Sequence, residues 1–289
     1  MITRLILALL LIMGVSYANE APEFPEPQQY LSDRFSAPGP IGHVFMPRGV
    51  MDDSRPSIAF AHQNREWGYD WFLLAMVFPG DWGHVSVGYS NYSTTSLPVT
   101  KRDSVGIYLN GNVSDTFEIM AVSYQPAFDD IQLQFILNYK YRQLVSIDPK
   151  KAIALDAHIS AKSFLNNQAG LRIVNLLATP YENKDSSHEL PKYIGAYYWL
   201  PLSVVTVFLE ANLCTNYHYL STLVGQVVVD MDEYLSFLMT LTASDSFFSF
   251  GLGTQVTLTD YFQLMYMHHL EESGAIDLSV HSISIGVTF

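Results

Sequence analysis

The sequence predicts an all-β protein that folds as a transmembrane antiparallel β-barrel after export. Three observations lead to this prediction. Apolar and polar residues alternate in many segments of about ten residues, the first 18 residues have the layout of a secretory signal, and the chain ends in an alternating strand. Charged residues make up 15% of the chain, against about 25% in ordinary soluble domains, and tyrosine (18) and phenylalanine (17) are abundant. Such a composition suits a surface that faces lipid.

The signal comprises residues 1–18. A basic start at Met1–Arg4 precedes an apolar run at Leu5–Val15, and Ser16-Tyr17-Ala18 supplies small residues for cleavage after Ala18. The apolar run is too short to cross a bilayer of about 30 Å as a helix. Acidic residues (28) outnumber basic ones (15), which argues against nucleic acid and anionic lipid headgroups as partners.

Residues 19–53 form an N-terminal extension before the barrel, which we predict to span residues 54–289. The extension is rich in proline and lacks sustained periodicity, so it predicts neither a helix nor a strand. It could hang in the periplasm or fold into the lumen as a plug, and the sequence leaves both alternatives open.

The clearest strand runs from Ile131 to Arg142, with apolar residues at every second position and polar ones between them. Single-chain bacterial barrels have even strand numbers, so the fifteen segments that the pattern yields predict about 14 strands, with 12 as the fallback. The segments are approximately 56–63, 68–78, 82–92, 103–110, 115–126, 131–142, 151–163, 169–179, 192–200, 205–213, 222–230, 235–243, 246–257, 260–269 and 279–289.

The polar faces of three of these strands predict which residues point into the lumen. The candidates are Lys140, Arg142, Asp156, His158 and Glu210. Simple hairpin closure of 131–142 on 151–163 would place Lys140 opposite Ala154, with Asp156 two residues further and within reach of the lysine. The opposite faces predict lipid contact for Leu133, Leu137, Leu155 and Leu209.

The last strand carries an expected assembly signal, formed by Ile283, Ile285, Val287 and the terminal Phe289. A terminal strand of this kind resembles the one that the barrel assembly machinery recognises in bacterial outer-membrane proteins. With the export signal, it predicts residence in the bacterial outer membrane, where the strands contact outer-membrane lipid.

A family resemblance covers the chain from about Ser57 to Phe289. The matching pieces are Tyr69–Met76, Trp82–Tyr89, Gly170–Leu176, Glu189–Pro191 and the closing strand from His281. On these pieces the chain resembles the PorV/PorQ-type barrels of the FadL fatty-acid transporter superfamily. The resemblance implies either passage of small hydrophobic molecules or docking of another protein during secretion. Before the first strands, Met46-Pro47-Arg48-Gly49 replaces the Asn-Pro-Ala-Gly turn that the family often carries.

We expect no catalytic, cofactor or metal site. His84 with Ser86 and His158 with Ser160 could share a strand face as a base and a nucleophile, but neither pair has the sequence context of outer-membrane phospholipases. The run His268–Glu272 contains metal-ligand residue types, although adjacent strand residues point to opposite faces.

Three functions therefore compete. The leading hypothesis is a passive conduit for small hydrophobic or amphipathic molecules, which would be its ligands. The alternative is a docking or secretion-assembly barrel, for which 180–191 is the longest predicted external loop. The third is an outer-membrane lipid hydrolase.

Overall fold

Fourteen antiparallel strands close into a barrel, which confirms the predicted fold class and strand number. The computed structural model describes residues 41, 44, 45 and 55–289, except 66–68, 103–106, 127–130, 145–148, 163–166, 183–186, 217–220, 245–247, 260 and 274–275. The expected signal and nearly all of the expected extension lie outside the described residues.

Each strand pairs with its neighbours in the sequence, apart from a short two-stranded hairpin, β8 and β9, between β7 and β10. The strands are β1 (Ser57–Arg65), β2 (Tyr69–Gly80), β3 (Gly83–Arg102), β4 (Ile107–Pro126), β5 (Ile131–Leu144), β6 (Lys150–Lys162), β7 (Gln168–Ala178), β8 (Tyr181–Glu182), β9 (Ser187–His188), β10 (Tyr193–Leu202), β11 (Val205–Cys214), β12 (Thr222–Asp230), β13 (Leu235–Ser244), β14 (Phe248–Thr259), β15 (Phe262–Ser273) and β16 (Ile276–Thr288).

Closure joins the first strand to the last. Ser57 lies opposite Thr288 in the β1–β16 pair, and the backbone N–H of Phe289 donates a 2.8 Å hydrogen bond to the carbonyl oxygen of Pro56. The barrel end at which β1 begins and β16 finishes is called the terminal end below, and the opposite end is called the loop end. The longest connection, residues 179–192 with β8 and β9, lies at the loop end.

The predicted segments 103–110 and 115–126 are one strand, β4, which corrects the odd count. The sequence Asn110-Gly111-Asn112 resembles a turn, but the strand continues through it because β3 is equally long and pairs with it as far as Arg102. Register shifts near Leu97 and Thr100 absorb the irregularity. Among the described residues, β2 pairs with β3 only as far as Thr94, and β5 pairs with β4 only as far as Asp115. The β3–β4 hairpin therefore extends past its neighbours at the loop end.

The outer surface of the barrel is an apolar band. Large apolar side chains remain exposed on nearly every strand, as a lipid-facing barrel surface requires. Leu137 and Leu209 belong to this band, and Leu133 and Leu155 lie partly exposed on the same outward faces. Exposed aromatic residues gather at the terminal end, as in an interfacial girdle; they are Phe78, Trp82, Tyr124, Tyr234, Tyr261 and Phe289.

No helix in the described part of the chain is long and apolar enough to cross a membrane.

Candidate functional site

One side of the barrel interior is apolar. A continuous cluster of inward-facing apolar side chains runs across β1 to β6. We call this surface the apolar wall; it consists of Ala59, Ala61, Trp71, Leu73, Ala75, Tyr92, Phe117, Ile119, Ala121, Ile136, Ala152 and Ala154. Half of these residues are alanines, so the wall leaves room for apolar groups beside it.

Three residues of the expected N-terminal extension occupy that room. Ile41, Val44 and Phe45 are helical, buried and part of the same cluster as the apolar wall. Their spacing puts them on one face of a helical turn. Three apolar residues at this spacing are too few to predict a helix from the sequence. Gly88 on β3 permits this packing, because a Cβ atom there would lie 2.6 Å from Val44 Cγ1.

The connection between β7 and β10 also packs on the apolar wall. Tyr181 and Leu190 are buried and belong to the cluster, and Glu182 pairs with Lys151 at the end of β6. The described ends of this predicted external loop therefore pack against the loop end of the barrel.

Beside the apolar wall, the interior holds a hydrogen-bonded network on β5, β6 and β7 that is centred on Asn175. Its side-chain oxygen accepts a 2.9 Å hydrogen bond from Lys140 Nζ, its side-chain amide donates to the carbonyl of Pro191 at 2.6 Å, and its backbone N–H donates to Asp156 Oδ1 at 2.7 Å. Asn138 Nδ2 donates to the other oxygen of Asp156 at 2.8 Å. Asn175 thus connects two oppositely charged side chains to a loop.

A bulge in β7 brings Asn175 inward. Leu155 pairs with Leu177 and Ala157 pairs with Ile173, so three residues of β7 stand opposite Asp156. Asn175 adopts a left-handed backbone conformation, with φ of 57°, which asparagine tolerates better than most residues. Strand alternation could not reveal this position, because the bulge interrupts the period of two.

The predicted register of the β5–β6 hairpin is wrong by two residues. Lys140 lies opposite Ala152, whereas Asn138 takes the position opposite Ala154. The hairpin closes two residues earlier than predicted, since β6 already begins at Lys150. Asp156 consequently lies four residues from the partner of Lys140, and Asn175 bridges the two charged groups.

A second buried network surrounds Glu210. Its carboxylate forms an ion pair with Arg172, and both side chains are almost completely buried. Arg172 also donates to Asn212 Oδ1, at 2.6 Å from its Nη2 atom. Burial of an arginine and a glutamate is tolerated when each has such partners.

The other two predicted lumen residues also have partners. His158 is buried, and its Nε2 atom lies 2.8 Å from the hydroxyl of Tyr197, which stacks on the imidazole. Arg142 is partly buried and forms a 2.8 Å ion pair with Asp115. Four of the five candidates are therefore buried and Arg142 is partly buried, and each of them contacts polar or charged partners.

A small cavity marks the junction of the apolar and polar sides. Apolar residues line one part of it, and three residues of the polar networks line the rest. The lining consists of Phe45, Ile136, Ala157, Ile173, Val174, Asp156, His158 and Arg172.

His84 and Ser86, the first candidate catalytic pair, both lie on β3, and the two residues of the second pair bond to other side chains. Ser160 Oγ donates to Gln132 at 3.4 Å and accepts from Gln168 at 2.9 Å, while His158 bonds to Tyr197. In the described residues no group of three or more histidine, cysteine, aspartate or glutamate side chains could hold a metal ion. His268 faces outward beside His281, whereas His269 is buried.

The assembly-signal residues lie along β16. Ile283, Ile285, Val287 and Phe289 alternate with buried Ser284 and Gly286 and turn toward the outer surface. Phe289 is 68% exposed, so its ring is accessible at the terminal end.

Comparison with known proteins shows similarity in fold. No family model and no curated protein sequence matches the chain. The structure is similar to the CymD monoaromatic hydrocarbon channel, with a TM-score of 0.57 at 8% identity over 82% of this chain and 89% of that one. It is also similar to a deletion mutant of the TodX monoaromatic hydrocarbon channel, with a TM-score of 0.54 at 8% identity over 81% and 88% of the two chains.

Proposed function

We propose that the protein is an outer-membrane channel for small hydrophobic or amphipathic molecules. The observation that carries this proposal is the apolar wall inside a barrel whose outer surface is also apolar. A water-filled porin has a polar interior, which would bind small apolar solutes poorly. The similarity in fold to two hydrocarbon channels supports the same function.

In this proposal the signal at residues 1–18 directs export, and the barrel assembly machinery inserts the chain through the β16 signal. The apolar band would then contact outer-membrane lipid. The terminal end would face the periplasm and the loop end the exterior, because barrels of this kind keep both chain termini on the periplasmic side.

The extension at 19–53 would act as a plug. Ile41, Val44 and Phe45 cover the apolar wall, so cargo would reach that wall only when the segment moves. Cargo would replace one set of apolar contacts by another, and the movement would therefore cost little hydrophobic free energy.

Docking of another protein is the second candidate, and the β3–β4 hairpin favours it. The hairpin projects beyond its neighbours at the loop end, where a partner could pair with its edges. Deleting residues 97–110 should abolish capture of a partner from the native host if this is the function, and should leave solute uptake unchanged. The PorV/PorQ resemblance has no support beyond the quoted motifs, and no described contact favours a lipid hydrolase.

Uptake by intact cells tests the channel. Cells that produce the protein should take up labelled toluene faster than cells carrying an empty vector, because lipopolysaccharide slows the entry of apolar solutes. Liposomes containing the protein should show no swelling in sugar solutions, because the interior is packed. Sugar permeability without faster toluene uptake would instead indicate a porin.

A further inference from the structure

Gln63 stands out among the buried side chains of the interior. It lies near the loop end of β1, is 3% exposed, and neither its amide nitrogen nor its amide oxygen has a hydrogen-bond partner among the described residues. Burying an amide without a partner is unfavourable, because each group loses its hydrogen bonds to water and gains none in return. Native interiors rarely contain a buried amide with both groups unsatisfied. We therefore expect a function of Gln63 that supplies its hydrogen-bond partners.

The surroundings of Gln63 identify the site. Strand pairing puts it opposite Trp71 on one side and Ser282 on the other, and opposite residues on neighbouring strands share a face. Ala61 and Trp71 belong to the apolar wall. The indole N–H of Trp71 is committed to Ser90, at 2.8 Å. Gln63 is therefore a polar group at the margin of an apolar surface.

We infer that Gln63 is the recognition group for cargo in the channel, an inference that rests on the proposed function. A primary amide presents a donor and an acceptor side by side, so its best complement is a group with the same pair in reverse. An un-ionised carboxylic acid or a primary amide has this arrangement. The ligand class is a small aromatic or aliphatic molecule with one such neutral head.

A molecule with a charged head group should bind less tightly beside Gln63. Gln63 carries no charge, and three cationic side chains of the interior already contact polar or anionic groups: Lys140 with Asn175, Arg142 with Asp115, and Arg172 with Glu210. An ionised carboxylate against the apolar wall would lose its hydration without gaining a cation.

Calorimetric titration of the full-length protein in detergent tests the inference. The probes are benzamide, N,N-dimethylbenzamide, which lacks the N–H donors, and toluene, which lacks the head. Wild type should bind benzamide up to about 10-fold more tightly than the dimethyl compound. The dimethyl compound keeps its carbonyl acceptor and loses only the N–H that donates to the Gln63 amide oxygen, and one net hydrogen bond amounts to at most roughly that factor. In Gln63→Leu this difference should vanish, while toluene affinity stays within about twofold of wild type.

Gln226→Leu is the matched control. Gln226 is a buried, inward-facing glutamine on β12, opposite Phe208 and outside the apolar wall, and its replacement should keep the preference for benzamide. Equal benzamide and dimethylbenzamide affinities in wild type, with toluene bound, would overturn the role of Gln63 and leave the channel standing. A wild type that binds none of the three probes would overturn the channel itself.

A second measurement applies if Gln63→Leu fails to fold. Crystals of wild type soaked in 4-bromobenzamide should show anomalous bromine density within the apolar wall and the probe amide against Gln63. Bromine density elsewhere, or a water molecule on the Gln63 amide in its place, would overturn the inference.

Discussion

Replacing Asn175 by alanine should destabilise the barrel more than replacing it by glycine. Both variants lose the hydrogen bond from Lys140 and the one to Pro191, about 2 to 4 kcal/mol together, because one partner is charged. Alanine adds about 1 to 2 kcal/mol, since φ of 57° is strained for a residue with a Cβ. Glycine adopts that conformation without this cost.

The same pair of substitutions at Asn138 supplies the control. Asn138 is also buried and also bonds to Asp156, but it lies in regular strand on β5, where glycine should be worse than alanine by about 0.5 to 1 kcal/mol. The order of the two variants should therefore reverse between the two sites.

Urea unfolding in phospholipid vesicles, followed by tryptophan fluorescence, measures these differences. The expected order of stability is wild type, Asn175→Gly, Asn175→Ala. An alanine variant as stable as the glycine variant would refute the assigned backbone conformation. If both variants unfold within about 1 kcal/mol of wild type, the hydrogen bonds of Asn175 contribute less than one typical bond each.

Three further predictions concern the outer and inner faces of β5, the buried ion pair of Glu210, and assembly. Leu137→Arg should lower the free energy of unfolding in urea by about 2 to 4 kcal/mol, because Leu137 faces lipid. Gln134→Arg should also destabilise the barrel, because that glutamine is 1% exposed in a packed interior. A tolerated arginine at Gln134 would indicate a water-filled lumen. Glu210→Gln should cost about 3 to 5 kcal/mol by removing the carboxylate from Arg172, and Arg172→Met with Glu210→Leu should recover most of it; no recovery would rule out a direct pair. Deleting Phe289 should lower the amount of heat-modifiable protein in the outer membrane, and normal levels would exclude its role in assembly.

Period-two alternation was sufficient to predict the fold, because it depends only on the difference between a lipid face and an inner face. The segment from Ile131 to Arg142 alternates as expected, with Ile136 on the inner side and Leu137 on the outer one. The turn-like sequence Asn110-Gly111-Asn112 led to the incorrect prediction of two separate strands. Long-range pairing with β3 overrides the local turn preference there.

Much of the candidate site could not be predicted. The Lys140 register depends on where the hairpin closes, and the role of Asn175 depends on a bulge; neither is encoded by alternation. The contact of Phe45 with the apolar wall joins residues far apart in the chain. Sequence alternation identifies the inner face of a strand, but it does not show whether water, protein or cargo fills the space beside it.

A reversible lock on the N-terminal segment tests the channel most directly. Val44→Cys and Gly88→Cys place two thiols where a Cβ of residue 88 would be 2.6 Å from Val44 Cγ1, within reach of a disulfide. The same Cβ would lie 2.7 Å from Phe45 Cζ, so the variant also carries Phe45→Ala to make room, in a Cys214→Ser background. Labelled toluene uptake should fall at least about 10-fold on oxidation, because the segment must move for cargo to reach the apolar wall, and should return on reduction. Equal uptake in the two states would show that the segment does not control passage, and a reduced protein that carries no toluene would contradict the channel.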